Sequence, residues 1–305
     1  MSHVKGISKL VPDSEIPRAY LSDYLEAKAA IQTEHIESDL EAQRVISLYF
    51  MNHFLRVDGN TEASWWKPLG GEGSPLIDSL VRQYWDHGPF SQIHKWVTQE
   101  AENKSPKNII ELGCGVGGLY PVLKSHIEFY LGMDSSFAST ALGRHLLLGV
   151  PYAGKIKIPE DLLKGGVSRE IRFPILKYYD GKADLVVGDL ESVPLRSKHW
   201  DLSIALNTID MMDEPALLPK LQHDLLKKGG TAIQSCPYIW HENVAKRLRS
   251  KLPREIRDSA QAVEWLYERA GFKIKERVDH LPWLFFKHVR QLEIYSVHLI
   301  LCEYA

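Results

Sequence analysis

The stretch NIIELGCGVGGLYPVL, Asn108 to Leu123, joins a short apolar strand to a loop that carries four glycines. The glycines stand at positions 113, 115, 117 and 118, where a βαβ unit opens. Backbone N–H groups at the start of a helix attract negative charge, and absent side chains allow a ligand to approach the chain. The stretch therefore predicts a ligand-binding loop at the end of a strand in an α/β protein.

The composition is that of an ordinary globular protein, with 44% hydrophobic and 25% charged residues among 305. The 37 basic and 39 acidic residues give a formal charge of −2, which provides no general electrostatic case for nucleic acid or an anionic membrane. The start of the chain lacks a signal-peptide pattern, and no apolar run reaches the ~18 residues of a membrane span. The three cysteines are far apart and form no disulfide framework, so we predict a cytoplasmic protein. Neither they nor the 13 histidines show metal-ligand spacing, so we predict no metal.

Segments downstream of Lys107 alternate between strand and helix patterns. Predicted strands cover 109–112, 127–134, 184–189, 200–207, 231–236, 273–278 and about 292–302. Helices are predicted at 217–230 and 259–272, and 279–291 is predicted to connect the last two strands. This alternation, with apolar strands, predicts an α/β fold with a doubly wound, mostly parallel sheet.

The first hundred residues show helical patterns instead. Residues 18–58 contain no glycine or proline, and Ser74 followed by Pro75 is typical of a helix start. We therefore predict a helical N-terminal segment or cap over 1–100 and an α/β domain over 101–305. An insertion at about 150–183 interrupts that domain, and insertions of this length are often functional.

Asp134, at the end of the second predicted strand, narrows the choice of ligand. A carboxylate at this place can accept hydrogen bonds from both hydroxyls of a ribose, which NAD and S-adenosylmethionine share. Gly113, Gly115 and Gly118 also satisfy the G-x-G-x-x-G pattern of dinucleotide-binding proteins. These residues alone leave both ligands open.

The segments ELGCGVGG, GMD, VVGDLESVPL and HWDLSIALNTID, as a set, resemble the class I S-adenosylmethionine-dependent methyltransferases. The resemblance runs from about residue 107 to 305, and it implies a seven-stranded Rossmann-like sheet closed by a β-hairpin. It also implies that S-adenosylmethionine is the cofactor. The implied cofactor residues are Gly113, Gly115 and Gly117 for the methionine part, Asp134 with Ser135 for the ribose, Asp189 and Leu190 for the adenine, and Asn207 beside the donor methyl. Glu111 either reaches the cofactor ammonium or shapes the turn.

Residues for the methyl acceptor are expected at the ends of the fourth and fifth strands, in the insertion and in the N-terminal segment. We predict Asp210, Tyr238 and His241 as catalytic residues, with helix capping as the alternative for Asp210. Trp240, Trp283 and His288 are predicted to bind the substrate. Their alternatives are core packing for Trp240, and a protein interface for the stretch that holds the other two.

A narrower resemblance concerns the acceptor. NTIDMMDEPALL, SCPYIWHEN and DHLPWLFFKHVRQLEIYSVHLILCE are similar to the methyltransferase domain at the C-terminus of ovothiol-forming enzymes. That family implies an imidazole nitrogen of a thiol-bearing histidine as the acceptor, with a base such as Asp210 or Tyr238 receiving its proton. The N-terminal segment and the insertion depart from that family's pattern. A peptide or protein methyltransferase, a non-catalytic binding subunit of the same fold, and an NAD-dependent dehydrogenase are the other hypotheses.

Overall fold

The computed structural model describes residues 2–4, 7–10, 75–104, 106, 108–148, 157–159, 168–170, 182–191, 193, 195, 197–288 and 291–305. Within these ranges the chain forms one large sheet, a small hairpin, and helices packed on both faces of the sheet. The predicted helix within 18–58, the Ser74 cap and most of the insertion at 150–183 lie outside the described residues. No helix of the described ranges is both long enough and apolar enough to cross a membrane.

The strands are short in the centre of the sheet and long at its C-terminal hairpin. They are β1 (Ser2–Val4), β2 (Ile7–Leu10), β3 (Asn108–Leu112), β4 (Phe129–Asp134), β5 (Lys157–Pro159), β6 (Ser168–Glu170), β7 (Ala183–Gly188), β8 (Trp200–Leu206), β9 (Leu226–Cys236), β10 (Phe272–His288) and β11 (Gln291–Tyr304). The helices are α1 (Pro75–His87), α2 (Pro89–Lys104), α3 (Tyr120–Leu123), α4 (Phe137–Leu148), α5 (Leu217–Leu225), α6 (Glu242–Lys251) and α7 (Ser259–Arg269).

The large sheet has the order β1-β2-β7-β4-β3-β8-β9-β11-β10. Strands β7, β4, β3, β8 and β9 are parallel to one another, whereas β11 is antiparallel to both β9 and β10. Counted from β3 in chain order, the seven strands of the α/β part follow the order 3-2-1-4-5-7-6, which confirms the predicted seven-stranded, doubly wound sheet. The β1–β2 hairpin, which the sequence did not predict, extends the sheet beyond β7.

Two hydrophobic clusters, one on each face, hold the sheet. Helix α2 contributes Ile93, Trp96 and Val97, all fully buried, to the cluster that also holds Ile109 and Leu202. The opposite cluster contains residues of α5 and α7. Because both faces are covered, the central strands are apolar almost throughout. Helix α2 therefore crosses the predicted boundary at residue 100 and packs against the α/β part.

Two element boundaries differ from the predictions. Strand β9 begins at Leu226 rather than at residue 231, because Leu226 is fully buried and pairs with Trp200. Burial and strand pairing outweigh the helical pattern of 217–230 there. Most of the stretch 279–291 is not a connection, since β10 continues to His288 and pairs with β11 along its length, interrupted by bulges.

Candidate cofactor and acceptor site

Four neighbouring parallel strands bring the predicted cofactor residues to one edge of the sheet. The glycine loop follows β3, Asp134 ends β4, Asp189 follows β7, and Asn207 follows β8. The order across the sheet is β7, β4, β3, β8. The strand order reverses between β3 and β8, because β4 and β7 follow β3 on one side of it and β8 and β9 lie on the other. Ligands of open α/β sheets bind in the crevice at such a switch point.

The N–H groups of the glycine loop are largely used within the protein. Gly113 and Cys114 both donate to the carbonyl oxygen of Met133, at 2.8 and 3.0 Å. Gly115 donates to Asp134 Oδ2 at 2.8 Å, and Gly117 donates to the carbonyl oxygen of Cys114 at 2.9 Å. These four donors are therefore occupied, which corrects the expectation that they attract a negatively charged ligand.

Two of the glycines are required by the packing of the chain itself. A Cβ atom at Gly113, where φ is 76°, would lie 2.4 Å from Thr208 Oγ1. A Cβ atom at Gly117, where φ is 72°, would lie 2.8 Å from side-chain atoms of Leu147 and Leu185. Close approach by a ligand is therefore not needed to explain these two residues.

Beneath the loop lies an acidic floor, which we define as Glu111 and Asp134. Glu111 is 4% exposed, and its carboxylate accepts a hydrogen bond from the hydroxyl of buried Tyr130. Burial raises the pKa of Asp134, against the effect of its bonds from the N–H groups of Ser136 and Gly115. Burial also raises the pKa of the Cys114 thiol, and the two carboxylates raise it further. Two roles were considered for Glu111, contact with the cofactor ammonium and a structural role in the turn. The bond from Tyr130 favours the structural role.

Asp134 retains the capacity to bind a ribose. Its Oδ1 accepts from Ser136 N and its Oδ2 from Gly115 N, both at 2.8 Å. Each carboxylate oxygen has two lone pairs, so one on each oxygen remains for a hydroxyl donor. Ser136, rather than the exposed Ser135, caps α4, since its Oγ accepts from Ser139 N at 3.2 Å. These free acceptor positions fit the hydroxyl groups of a nucleoside sugar.

The residues predicted to bind the adenine follow β7, and Asn207 follows β8. Asp189 is exposed, and its Oδ1 accepts from Glu191 N at 2.9 Å. Leu190 is half-buried and packs on the hydrophobic cluster of that face. Asn207 adopts a φ of 52°, and its Oδ1 accepts from Ser235 Oγ at 3.1 Å. Asn207 therefore connects the ends of β8 and β9.

Asp210 has a different role from the cap considered for it. It is 3% exposed, and its Oδ2 accepts from Ile239 N at 2.8 Å. Helix α5 begins after Ala216, without a side-chain cap bond. Asp210 thus joins the segments that follow β8 and β9, and this bond helps to position Tyr238 and its neighbours.

Tyr238 is held at the edge of the sheet by both its ring and its hydroxyl. Its φ of 62° lies in a region that is strained for an aromatic residue. The hydroxyl lies 2.7 Å from Nδ1 of His298, and the ring stacks on Trp240 with the ring centroids 5.8 Å apart. Trp240 in turn donates to Ser259 Oγ at 3.0 Å. Burial raises the pKa of Tyr238 well above its usual range.

Two residues at this place were missed by the sequence analysis. His298 of β11 is 2% exposed, and its Nε2 lies 3.2 Å from Glu264 Oε1 of α7. A histidine inside the otherwise apolar run 297–302 is a detectable signal. Its partners, however, come from segments that are distant in sequence.

The remaining predicted acceptor residues lie at the start of α6 and on β10. His241 is exposed at the start of α6. Trp283 is 2% exposed and packs on Phe90, with the ring centroids 4.8 Å apart, so its position corrects the expectation of a substrate contact. His288 ends β10 opposite Gln291, and its side chain lies outside the described part of the chain. Among the described residues, no three His, Cys, Asp or Glu side chains are grouped to hold a metal.

The strand order 3-2-1-4-5-7-6, with the antiparallel β11, is typical of the methyltransferase fold. Magnesium protoporphyrin IX methyltransferase from Synechocystis PCC 6803, with bound SAH, covers 86% of this chain and 100% of its own, at 16% identity and a TM-score of 0.46. The likeness to a SAM-dependent methyltransferase from Aquifex aeolicus covers 73% of this chain and 93% of that one, at 11% identity and a TM-score of 0.44. The likeness to the [4+2]-cyclase SpnF covers 70% of this chain and 79% of that one, at 13% identity and a TM-score of 0.44. These likenesses are likenesses of fold.

No family model matches the chain, and no curated protein matches it.

Proposed function

We propose that this protein is an S-adenosylmethionine-dependent methyltransferase that acts on a small amino-acid-like acceptor. The acidic floor of Glu111 and Asp134 beneath the glycine loop carries the proposal. S-adenosylmethionine supplies an activated methyl group on a positively charged sulfonium, beside an ammonium group. Buried carboxylates in a low-dielectric crevice favour such a cation.

The same floor argues against a dinucleotide. A pyrophosphate needs free N–H donors at the loop, and Gly113, Cys114, Gly115 and Gly117 donate within the protein. Two carboxylates below the loop would also repel the phosphates. The doubly wound dinucleotide fold follows the order 3-2-1-4-5-6, and it lacks the antiparallel strand that β11 inserts beside β9.

The residues at the edge would bind and orient the donor. Asp134 has lone pairs for the ribose hydroxyls, and Asp189 with Leu190 lies at the next strand end for the base. Asn207 lies at the end of β8, beside the segments that would hold the acceptor. Methyl transfer is an in-line displacement, so the main task of the protein is to aim the acceptor and to exclude water.

An imidazole nitrogen of a histidine derivative is the acceptor that we propose. Neutral imidazole is a good nitrogen nucleophile, and the resemblance of SCPYIWHEN and its neighbouring motifs points to this class. The stacked rings of Tyr238 and Trp240 offer a flat apolar surface of the kind that packs against an aromatic heterocycle. Incubation with methyl-labelled donor and a panel of thiol-bearing and plain histidines, followed by mass spectrometry, tests this acceptor class.

Calorimetric titration with S-adenosylmethionine and with NAD tests the cofactor. We expect binding of the first and no binding of the second. Asp134→Ala should weaken the binding of S-adenosylmethionine by about 1.5–3 kcal/mol, the range for lost hydrogen bonds to a charged group. Binding of NAD alone would overturn the proposal.

Asp201→Ala is the matched control for Asp134→Ala. Asp201 accepts from the backbone N–H of Asn108 at 2.9 Å and from Lys227 Nζ at 2.8 Å, so its loss also breaks a bond to the main chain. It is the second residue of β8, so it lies at the opposite end of the parallel strands from Asp134. Asp201→Ala should leave cofactor affinity unchanged, and an equal loss in both variants would show that the effect of Asp134 is on the fold.

A peptide or protein acceptor is the second candidate, and one observation favours it. Met211 and Ile239, which follow β8 and β9, are 70% and 58% exposed. Their segments are joined by the bond from Ile239 N to Asp210, and exposed large apolar side chains on neighbouring segments are typical of a contact surface. Labelled donor added to a whole-cell protein fraction and to its small-molecule fraction separates the two candidates.

A further inference from the structure

The site contains a chain of polar groups that the cofactor does not use. It runs from the Tyr238 hydroxyl to His298 Nδ1 over 2.7 Å, and from His298 Nε2 to Glu264 Oε1 over 3.2 Å. The second oxygen of Glu264 lies 3.1 Å from Arg277 Nη1. The four side chains come from three elements, β10, β11 and α7, and from the segment after β9. Tyr238, at one end of this series of side chains, is half-buried at the edge of the sheet.

Hydrogen-bond capacity determines the direction of this chain. A carboxylate only accepts, so His298 donates its Nε2–H to Glu264. The other ring nitrogen is then an acceptor, and the Tyr238 hydroxyl donates to it. The lone pairs of the tyrosine oxygen are then left to accept a hydrogen bond from a bound acceptor molecule. Arg277 Nη1 pairs with the other oxygen of the Glu264 carboxylate.

The backbone around this chain is strained. In the described part of the molecule, three non-glycine residues with positive φ lie at this edge: Asn207 at 52°, Tyr238 at 62° and His280 at 58°. His280 is next to Leu281, which pairs with Val297 beside His298. Such conformations cost on the order of 1 kcal/mol or more each, and they are concentrated at functional sites. Strain on three adjoining segments is a second observation, independent of the hydrogen bonds.

We propose that Tyr238, His298 and Glu264 form a proton relay that deprotonates the methyl acceptor. This inference rests on the proposed methyl transfer. As one imidazole nitrogen of the acceptor bonds to the methyl group, the bond from that methyl to the sulfonium breaks and leaves neutral S-adenosylhomocysteine. The proton on the other ring nitrogen moves to the Tyr238 oxygen, and the tyrosine proton moves to His298 Nδ1. The result is a neutral methylated product, an unchanged tyrosine and an imidazolium that Glu264 stabilises. One proton is transferred in total, and nothing is oxidised or reduced.

The protonation states suit a relay rather than a stored phenolate. Burial raises the pKa of Tyr238, so the hydroxyl keeps its proton until it can pass it on. Burial also lowers the pKa of His298, against the carboxylates of Asp279 and Glu264 and in the same direction as Arg277. His298 is therefore neutral near pH 7 and able to receive a proton. Tyr238 would contact the acceptor as a catalytic residue, whereas His298 and Glu264 act through it as positioning residues.

The test measures methyl transfer from labelled S-adenosylmethionine to the small-molecule extract of cells that carry the gene, from acidic to alkaline pH. The wild-type rate should fall on the acidic side, where His298 becomes protonated. Tyr238→Phe should lower the rate by about 100-fold or more, with calorimetric affinity for S-adenosylhomocysteine unchanged. Glu264→Gln should lower the rate and also move the acidic limb to lower pH, because the imidazolium loses its stabilising charge.

Two variants on the same helix are matched controls. Tyr267→Phe removes a buried hydroxyl that bonds Gln222, and Glu268→Gln removes an exposed carboxylate on α7. Neither should change the rate or the pH profile. Ring-nitrogen NMR of His298 adds a readout that needs no acceptor: it should show the Nε2–H form, with a protonation midpoint that falls in Glu264→Gln.

Each result decides a separate point. A wild-type rate in Tyr238→Phe, or an acidic limb that stays in place in Glu264→Gln, overturns the relay and leaves the methyltransferase proposal standing. No labelled product from the wild-type protein overturns methyl transfer and the relay with it. The calorimetric affinity for S-adenosylhomocysteine shows in that case whether the cofactor site itself was assigned correctly.

Discussion

Gly113 and Gly229 have the same φ of 76° but different surroundings. A Cβ atom at Gly113 would lie 2.4 Å from Thr208 Oγ1, whereas nothing lies within 4 Å of one at Gly229. The two positions separate the conformational cost of a positive φ from the cost of a clash. This distinction matters at the cofactor loop, where glycines are usually assigned to ligand approach.

Gly113→Ala should lower the free energy of unfolding by about 1–3 kcal/mol more than Gly229→Ala does, which is the range for overpacking a filled site. Both variants also bear the backbone penalty of roughly 1 kcal/mol for a positive φ. Urea denaturation of the two variants measures the difference. Equal losses would mean that Thr208 moves aside at no cost and that packing does not explain this glycine.

Helices α6 and α7 differ in how they begin. At the start of α7, Asp258 accepts from Gln261 N at 2.8 Å, and Gln261 Oε1 accepts from Arg257 N at 3.0 Å. The corresponding residue of α6, His241, makes no side-chain cap bond. The cap of α7 is relevant to the site because this helix carries both Glu264 and Ser259, the partner of Trp240.

Asp258→Ala should destabilise the protein by about 1 kcal/mol, because it leaves an N–H group of the first turn of α7 without its acceptor. His241→Ala, at the same position of α6, should change the free energy of unfolding by only a few tenths of a kcal/mol at most. Thermal or urea unfolding of both variants checks this. A comparable loss of stability in both variants would indicate that alanine is destabilising at the start of either helix, and that the Asp258 bond is not the cause.

At the scale of the whole molecule, side-chain bonds connect the first helices to the last strands. Trp96 of α2 donates to Glu276 of β10 at 2.8 Å, and Lys104 of α2 lies 2.7 Å from Glu303 of β11. Lys275 lies 3.2 Å from the other oxygen of Glu303. Helix α2 is therefore bound into the α/β part, and a break in the molecule at residue 100 would cut through its core.

The pH dependence of stability should report this connection. The hydrogen bond from Lys104 lowers the pKa of Glu303, with Lys275 acting in the same direction. A carboxylate with a lowered pKa in the folded state stabilises it above the ordinary Glu pKa of about 4.3, and this contribution is lost as the pH falls through the lowered value. Glu303→Gln should therefore lose less stability than the wild type on acidification.

Urea midpoints over that acidic range measure the effect, with Glu268→Gln of α7 as the control variant. The control should follow the wild-type curve. If Glu303→Gln follows it too, the ion pair between α2 and β11 contributes nothing to the folded state in solution. An exposed pair of this kind contributes at most about 1 kcal/mol, so closely spaced pH values are needed.

The local pattern was enough to predict a doubly wound, mostly parallel sheet. The resemblance to the class I methyltransferases added its seven strands and the cofactor residues at one edge. Apolar runs followed by Gly113, Asp134, Asp189 and Asn207 mark strand ends, and parallel strands place their carboxyl ends at one edge of a sheet. The start of β9 at Leu226 was not predictable in this way, because it depends on pairing with Trp200 and on burial. The β1–β2 hairpin lies far from its partner β7 in sequence and escaped prediction for the same reason.

The sequence by itself determined the class of fold and which strand ends face the crevice, since these follow from periodicity and from residues adjacent along the chain. Only the tertiary structure decided what those residues touch. It filled the space beside Gly113 with Thr208, placed Trp283 in the core, and joined Tyr238 to His298 and Glu264. The physical reason is that hydrogen bonds and packing act between neighbours in space. His298 and Glu264, to which the Tyr238 hydroxyl is connected, lie 26 residues or more from it along the chain (264 − 238 = 26).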